Sequence, residues 1–224
     1  FLKGDSEELI LLNNKTIDCP HGLHYTNFDG TTLGVDRYWE THYVEVTGNA
    51  LSHTVDMVDV GHFCQLVHKI MGLAIVSNNL IENLNVTGTG ATSHIINVGN
   101  ERYANTGTVV ISKNSIVNTS RPDVVNISDD QGYAARGVAR SVTLSENTVR
   151  DALDVVPIYG KGRYVSAISN HVEGHNFRGV QIKNINTFAD DHTTTVADHT
   201  AYVNILDNMI ITDLAAIEQP ILSY

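Results

Sequence analysis

A chain of 224 residues with 42% hydrophobic and 17% charged side chains is long enough to bury a sizeable core within one domain. Its formal charge of −11 argues against a nucleic-acid partner. It holds no run of about 18 apolar residues, so no membrane insertion is expected.

Along the chain one short pattern returns seven times: apolar, any, apolar, any, any, Asn, any, apolar. The first unit is Leu9, Leu11, Asn14 and Thr16, and the second Val44, Val46, Asn49 and Leu51. The third reads Leu73, Ile75, Asn78 and Leu80, and the fourth Val109, Ile111, Asn114 and Ile116. Val142, Leu144, Asn147 and Val149 form the fifth, and Val165, Ala167, Asn170 and Val172 the sixth. Val203, Ile205, Asn208 and Ile210 complete the series. The anchors are 35, 29, 36, 33, 23 and 38 residues apart.

The apolar period within a unit is 2, the mark of a strand. A second strand-like run follows most anchors: 55–60, 94–98, 124–127, 155–159 and 179–182. Strand, turn at Asn, strand and loop, repeated, predict an all-β, right-handed parallel β-helix of about seven coils whose stacking makes one continuous core. Its inward residues should include Val44, Val46, Ile75, Ile111, Leu144, Val149, Val203 and Ile205. Asn tolerates a left-handed backbone at the turn, and its amide can bond the same amide in the next coil. A leucine-rich array would need helix-like returns, whereas these are rich in Thr, Asn, Val and Gly; a propeller would show four strands per blade.

Residues 1–224 read as one β-helix domain. The opening Phe1-Leu2-Lys3-Gly4-Asp5 is not a signal peptide. The first unit starts at Leu9 with no polar cap, and a solenoid needs both ends capped, so the expectation is a piece of a longer chain or an end covered by a partner. Cys19 and Cys64 fall at different offsets from their anchors, which predicts no disulfide.

Charge is uneven. Residues 121–183 hold eight Lys/Arg and seven Asp/Glu, a net of +1, and the rest hold six and 18, a net of −12. A basic stripe on an acidic rod suits a polyanionic ligand such as a charged polysaccharide. The third position after each anchor (Ile17, Ser52, Ile81, Val117, Arg150, Glu173, Ile211) is mostly apolar and reads as facing the core or a packed turn, with Arg150 and Glu173 as breaks. The fourth (Asp18, His53, Glu82, Asn118, Asp151, Gly174, Thr212) is a polar row. Equivalent residues on adjacent coils lie about 4.8 Å apart. Retaining glycosidases need carboxyls about 5–5.5 Å apart and inverting ones about 6.5–9.5 Å, spacings that neighbouring or staggered coils supply.

The unit from Asn147 to Asn170 is the shortest and lies between long insertions at 128–136 and from 186 onward. That predicts a groove floored by Arg150, Asp151, Asp154, Tyr159, Lys161 and Arg163, adjoined by Glu173, His175 and Arg178. Asp151, Asp154 and Glu173 are the candidate acid, base or nucleophile; Arg150, Tyr159, Arg178 and His175 would hold the sugar. Asp190, Asp191, His192, Asp198 and His199 have oxygen and imidazole ligands for a divalent metal, but no spacing fixes them, and no metal site is assigned. Tyr38 and Trp39 are either a sugar-stacking pair or an aromatic cap.

These units, as in Val109-Val110-Ile111-Ser112-Lys113-Asn114-Ser115-Ile116 and Val142-Thr143-Leu144-Ser145-Glu146-Asn147-Thr148-Val149, resemble those of the right-handed parallel β-helix superfamily of pectate lyases, polygalacturonases, fructan-transforming enzymes and phage tailspikes. The resemblance runs from about Leu9 to Leu222. Polygalacturonase signatures (Asn-Thr-Asp, Gly-His-Gly) are absent, as is the Asp-Gly-x-x-Asp-Asp opening of many tailspikes, so no catalytic residue carries over by motif. The ends and loops look most like a tailspike. That resemblance implies a homotrimer, an extracellular or virion-tail location, a capsular or O-antigen polysaccharide substrate and hydrolase or lyase activity. It implies no cofactor, with Ca²⁺ added if the activity is a lyase. A secreted lyase, epimerase or fructan transferase, and a non-catalytic fibre or adhesin, stay open as alternatives.

Overall fold

The computed structural model describes residues 2–3, 8–18, 23–26, 40–52, 64–67, 69–84, 96–98, 107–119, 125–127, 139–152, 158–160, 162–175, 180–182, 202–212 and 221–223. All regular structure among them is β, in three parallel sheets. Sheet B holds the strands Glu8–Leu12, Glu40–Thr47, Lys69–Ser77, Thr108–Ser112, Ala139–Ser145, Gly162–Ile168 and Tyr202–Leu206, in that order. Sheet C holds Lys15–Ile17, Ala50–Ser52, Leu80–Leu84, Ser115–Thr119, Thr148–Ala152, His171–His175 and Met209–Thr212. Sheet A holds Leu2–Lys3, Leu23–Thr26, Cys64–Val67, Ile96–Val98, Val125–Ile127, Ile158–Gly160, Val180–Ile182 and Ile221–Ser223. The chain visits B, C and A in turn, and each strand pairs in parallel with its counterparts in the units before and after. The arrangement is solenoid-like, as the repeat predicts.

Alternation decides which side chains go inside. Each sheet B strand sends two residues inward: Val44 and Val46, Ala74 and Val76, Val109 and Ile111, Val142 and Leu144, Val165 and Ala167. Each sheet C strand sends one: Leu51, Ile81, Ile116, Val149 or Val172. Ile96 and Val98 of sheet A close the core. In the first and last units Leu9, Leu11, Val203, Ile205 and Ile210 pack against it and are only partly buried.

Between sheets B and C the asparagines form the expected ladder. Nδ2 of each donates to Oδ1 of the next, from Asn14 through Asn49, Asn79, Asn114, Asn147 and Asn170 to Asn208, at 2.8–3.1 Å. The same Oδ1 accepts the preceding asparagine's backbone N–H at 2.9–3.2 Å. From Asn49 onward the second Nδ2 proton goes to a core residue's carbonyl in the unit before, such as Leu144 for Asn170 at 2.9 Å. A buried amide with all these partners is stabilising where an unpartnered one would be costly.

Three readings of the sequence are corrected. First, a unit contains three strands, not two; the short run after each asparagine is a separate strand in sheet C. The run at 55–60 lies outside the described residues, and the sheet A strand of that unit is Cys64–Val67, in register with Leu23–Thr26 and Ile96–Val98. Cys19 also lies outside the described residues.

Second, the third anchor is Asn79, not Asn78. Ala74, Val76 and Ile81 are buried, whereas Ile75 and Leu73 lie on the outer face of sheet B and Leu80 is exposed. In the run Leu73-Ala74-Ile75-Val76 both registers are apolar, so periodicity alone does not choose between them.

Third, the left-handed residue is the one before the ladder asparagine. Asn13, Asn78, Lys113, Glu146, Ser169 and Asp207 have φ of 51–57°, and Gly48 has 70°. A Cβ on Gly48 would strike Oδ1 of Asn13. Turn and ladder thus fall to adjacent residues, and in the first and third units both are asparagines, Asn13-Asn14 and Asn78-Asn79.

Candidate functional site

The outer face of sheet C carries two rows fixed by register. One is Lys15, Ala50, Leu80, Ser115, Thr148, His171 and Met209; the other is Ile17, Ser52, Glu82, Val117, Arg150, Glu173 and Ile211. The second row is the one read from sequence as facing the core or a packed turn. It faces outward, with Ile17 54% and Ile211 46% exposed. The shift of the third anchor replaces Ile81 by Glu82 in this row, and Asn83 takes Glu82's place in the next. Arg150 and Glu173 are therefore not breaks in a buried slot but members of a solvent-facing one.

Arg150 and Glu173 are register partners on neighbouring strands. Arg150 Nε lies 3.5 Å from Glu173 Oε2. His171, two residues before Glu173 and so on the same face, brings Nε2 to 3.4 Å from that oxygen. The His171 nitrogen is enclosed, but its alignment does not make a hydrogen bond. It becomes an ion-pair partner only when the ring is protonated. Arg150 and His171 thus both approach the same carboxylate oxygen. Arg150 and Glu173 are about half exposed, so the pair contributes under about 1 kcal/mol to folding.

The described carboxylates of this row do not form a glycosidase pair. Glu82 and Glu173 are three strands apart, about 14 Å at the usual spacing. Asp151 follows Arg150 in the Thr148–Ala152 strand of sheet C, and His175 ends the His171–His175 strand. A register irregularity between Glu173 and His175 interrupts the pairing there. Tyr159 belongs to a different sheet, in register with Asn126 and Gln181 of sheet A. Arg163 is in the Gly162–Ile168 strand of sheet B. Asp154, Lys161 and Arg178 lie outside the described residues, as do Asp190, Asp191, His192, Asp198, His199, Tyr38 and Trp39. Two of the predicted residues, Arg150 and Glu173, are in contact; His171 joins them and was not among the sequence candidates. Period 2 was the signal that placed it there.

No group of three or more His, Cys, Asp or Glu side chains suited to a metal ion occurs among the described residues. No helix among them is long and apolar enough to cross a membrane. On sheet B, the Tyr43 hydroxyl donates to Glu45 Oε2 at 2.7 Å. That bond, then partial burial and the nearby Glu45 charge, raise the Tyr43 pKa.

Comparison with protein-family models, with curated proteins and with solved structures finds no match.

Proposed function

We propose that this chain is a right-handed parallel β-helix of about seven coils that binds and cleaves an acidic cell-surface or capsular polysaccharide, as phage tailspike depolymerases do. The observation that carries the reading is the Arg150–Glu173–His171 cluster on the solvent face of sheet C. A guanidinium offers paired N–H donors to a uronate carboxylate. A carboxylate beside an imidazole supplies proton donor and acceptor within one short reach. The local excess of Lys/Arg over residues 121–183 favours a polyanion against the acidic whole. Asp151, adjacent to Arg150, and Asp154 are the further carboxylates this chemistry would draw on. In this reading the protein works as a homotrimer outside the cell or on a virion tail. It needs no cofactor as a hydrolase, and Ca²⁺ as a lyase.

A second reading, a receptor-binding fibre that does not cleave, is favoured by one feature: Glu173 is already engaged by Arg150, an arrangement suited to holding charge more than to moving protons.

The test is incubation with a panel of acidic and neutral polysaccharides, followed by assays for new reducing ends and for the absorbance of unsaturated uronates. Reducing ends alone identify a hydrolase, and unsaturated products a lyase. Retention of the polymer without either supports the fibre. Neither retention nor cleavage across the panel ends the reading. Light scattering at micromolar concentration tests the trimer.

A further inference from the structure

The outer face of sheet B differs from that of sheet C. Register defines three outward rows. They are Glu8, Tyr43, Leu73, Thr108, Ser141, Tyr164, Tyr202; then Ile10, Glu45, Ile75, Val110, Thr143, Ser166, Asn204; then Leu12, Thr47, Ser77, Ser112, Ser145, Ile168, Leu206. Both charged members, Glu8 and Glu45, belong to the first two strands. From Leu73 to Leu206 the rows hold no charge, in a chain of net −11. The last two strands repeat one outward triplet: Tyr164, Ser166, Ile168 and, directly beside it, Tyr202, Asn204, Leu206. Tyr164 is 43% and Tyr202 56% exposed.

We infer that Tyr164 and Tyr202, with Ser166 and Asn204, form a binding platform for uncharged sugar units, separate from the Arg150–Glu173–His171 cluster. Two aromatic side chains on adjacent strands, about 4.8 Å apart, offer an apolar body with polar tips. This suits a pyranose, which has C–H faces and hydroxyl edges. The next outward row, about 6.6 Å along the strands, supplies a hydroxyl and an amide able both to donate and to accept. The absence of charge in these rows removes any attraction for a polyanion and leaves no ion to desolvate when a neutral ligand lands. The two triplets cover on the order of 10² Å². Even the whole uncharged face, five strands by three rows, covers only about 500 Å² at these spacings. That is short of the roughly 800 Å² per partner that a second copy of the chain would need, so a small ligand unit fits better than a protein does.

The test is native electrophoresis of the whole chain through gels containing dextran, galactomannan or soluble starch, with polygalacturonate as the acidic control. Retardation in at least one neutral gel is expected. Tyr164→Ala and Tyr202→Ala should each weaken it about five- to tenfold, as truncating an interface anchor does. Tyr164→Phe should keep most of it. Both alanine variants should leave migration in polygalacturonate unchanged, whereas Arg150→Ala changes only that; this separates failure of the platform from failure of the acidic-polymer reading. No retardation in all three neutral gels, or retardation of both alanine variants equal to that of the wild type, overturns the platform. A change of oligomer mass in the alanine variants without a change in retardation overturns it too, because the face then belongs to another copy.

Discussion

The side chain of Asn147 is the single acceptor for two protons of Asn114. Its Oδ1 takes the backbone N–H at 3.2 Å and the Nδ2 proton at 3.0 Å. Its own Nδ2 donates to the carbonyl of Ile111 at 2.9 Å and to Oδ1 of Asn170 at 3.0 Å. Only a side chain with one acceptor and two donors on a short stem satisfies all four contacts. Asp lacks the donors, and Ser lacks the second donor and the reach.

Asn147→Ala should therefore cost on the order of 3 kcal/mol, since it leaves several enclosed groups without partners. Asn147→Asp should also destabilise at pH 7, because a buried carboxylate would face the Ile111 carbonyl and Asn170 Oδ1. Those two oxygens and burial favour its neutral form, so its folded pKa lies above the unfolded one. The folded state then binds more protons, and the deficit against wild type should shrink as pH falls from 7 to 4. Paired melting curves across that range measure it; a deficit independent of pH would show that the position is not enclosed.

The register of the third unit can be read from two neighbouring substitutions. Val76→Thr places a hydroxyl in the core and should cost about 1–3 kcal/mol. Ile75→Thr, on the outer face of sheet B, should stay within about 1 kcal/mol. The reverse order in urea titrations would restore Asn78 as the ladder residue.

Most of the fold is legible in the sequence because burial in a β-solenoid has period 2 and the asparagine marks its phase. Legibility fails where the signal is degenerate. Leu73-Ala74-Ile75-Val76 is apolar in both phases, and Asn78-Asn79 offers two anchors. A charge or small residue in the outward phase would have settled it, as Glu45 does between Val44 and Val46. The site is harder. Arg150 and Glu173 are visible as a charged pair one repeat apart, but their row reads as buried until the strand between Asn147 and Arg150 is seen to alternate. His171 obeys the same period, but it stands next to the anchor Asn170, whose repeat dominates the pattern there.

Lys113 holds a left-handed backbone, φ 57°, that costs a side chain about 1–2 kcal/mol. Glycine avoids this but loses more chain entropy on folding, about 0.5–1 kcal/mol. The contact of Lys113 Nζ with Glu146 at 3.9 Å is exposed and weak. Lys113→Gly should thus raise stability by about 0.5–1 kcal/mol. Gly48→Ala should lower it, because the new Cβ meets Oδ1 of Asn13. Urea midpoints at a fixed m-value report both.

Tyr43 adds an alkaline component to the pH dependence of stability. Its raised pKa means that the phenol stays neutral longer in the folded state. Its contribution is complete below the unfolded value of about 10 and disappears as pH rises through the higher folded value. Tyr43→Phe should remove this part of the pH dependence, so any advantage of the wild type over the variant should be lost above that range. Parallel melting profiles between pH 8 and 12 test it.

The catalytic reading stands on three carboxylates whose roles separate by substitution. Removing a required acid or base should lower turnover by about 10²–10⁴ while folding is kept. Glu173→Gln is the informative case, because the neutral amide leaves Arg150 in place and removes the charge that it and His171 both approach. If Glu173 moves protons, turnover falls by that factor. If Glu173 only restrains Arg150, the freed guanidinium binds a polyuronate more tightly and turnover changes little. Asp151→Asn and Asp154→Asn complete the set on whichever polysaccharide the intact protein cleaves. Near-normal turnover in all three variants would move the chemistry away from these three carboxylates.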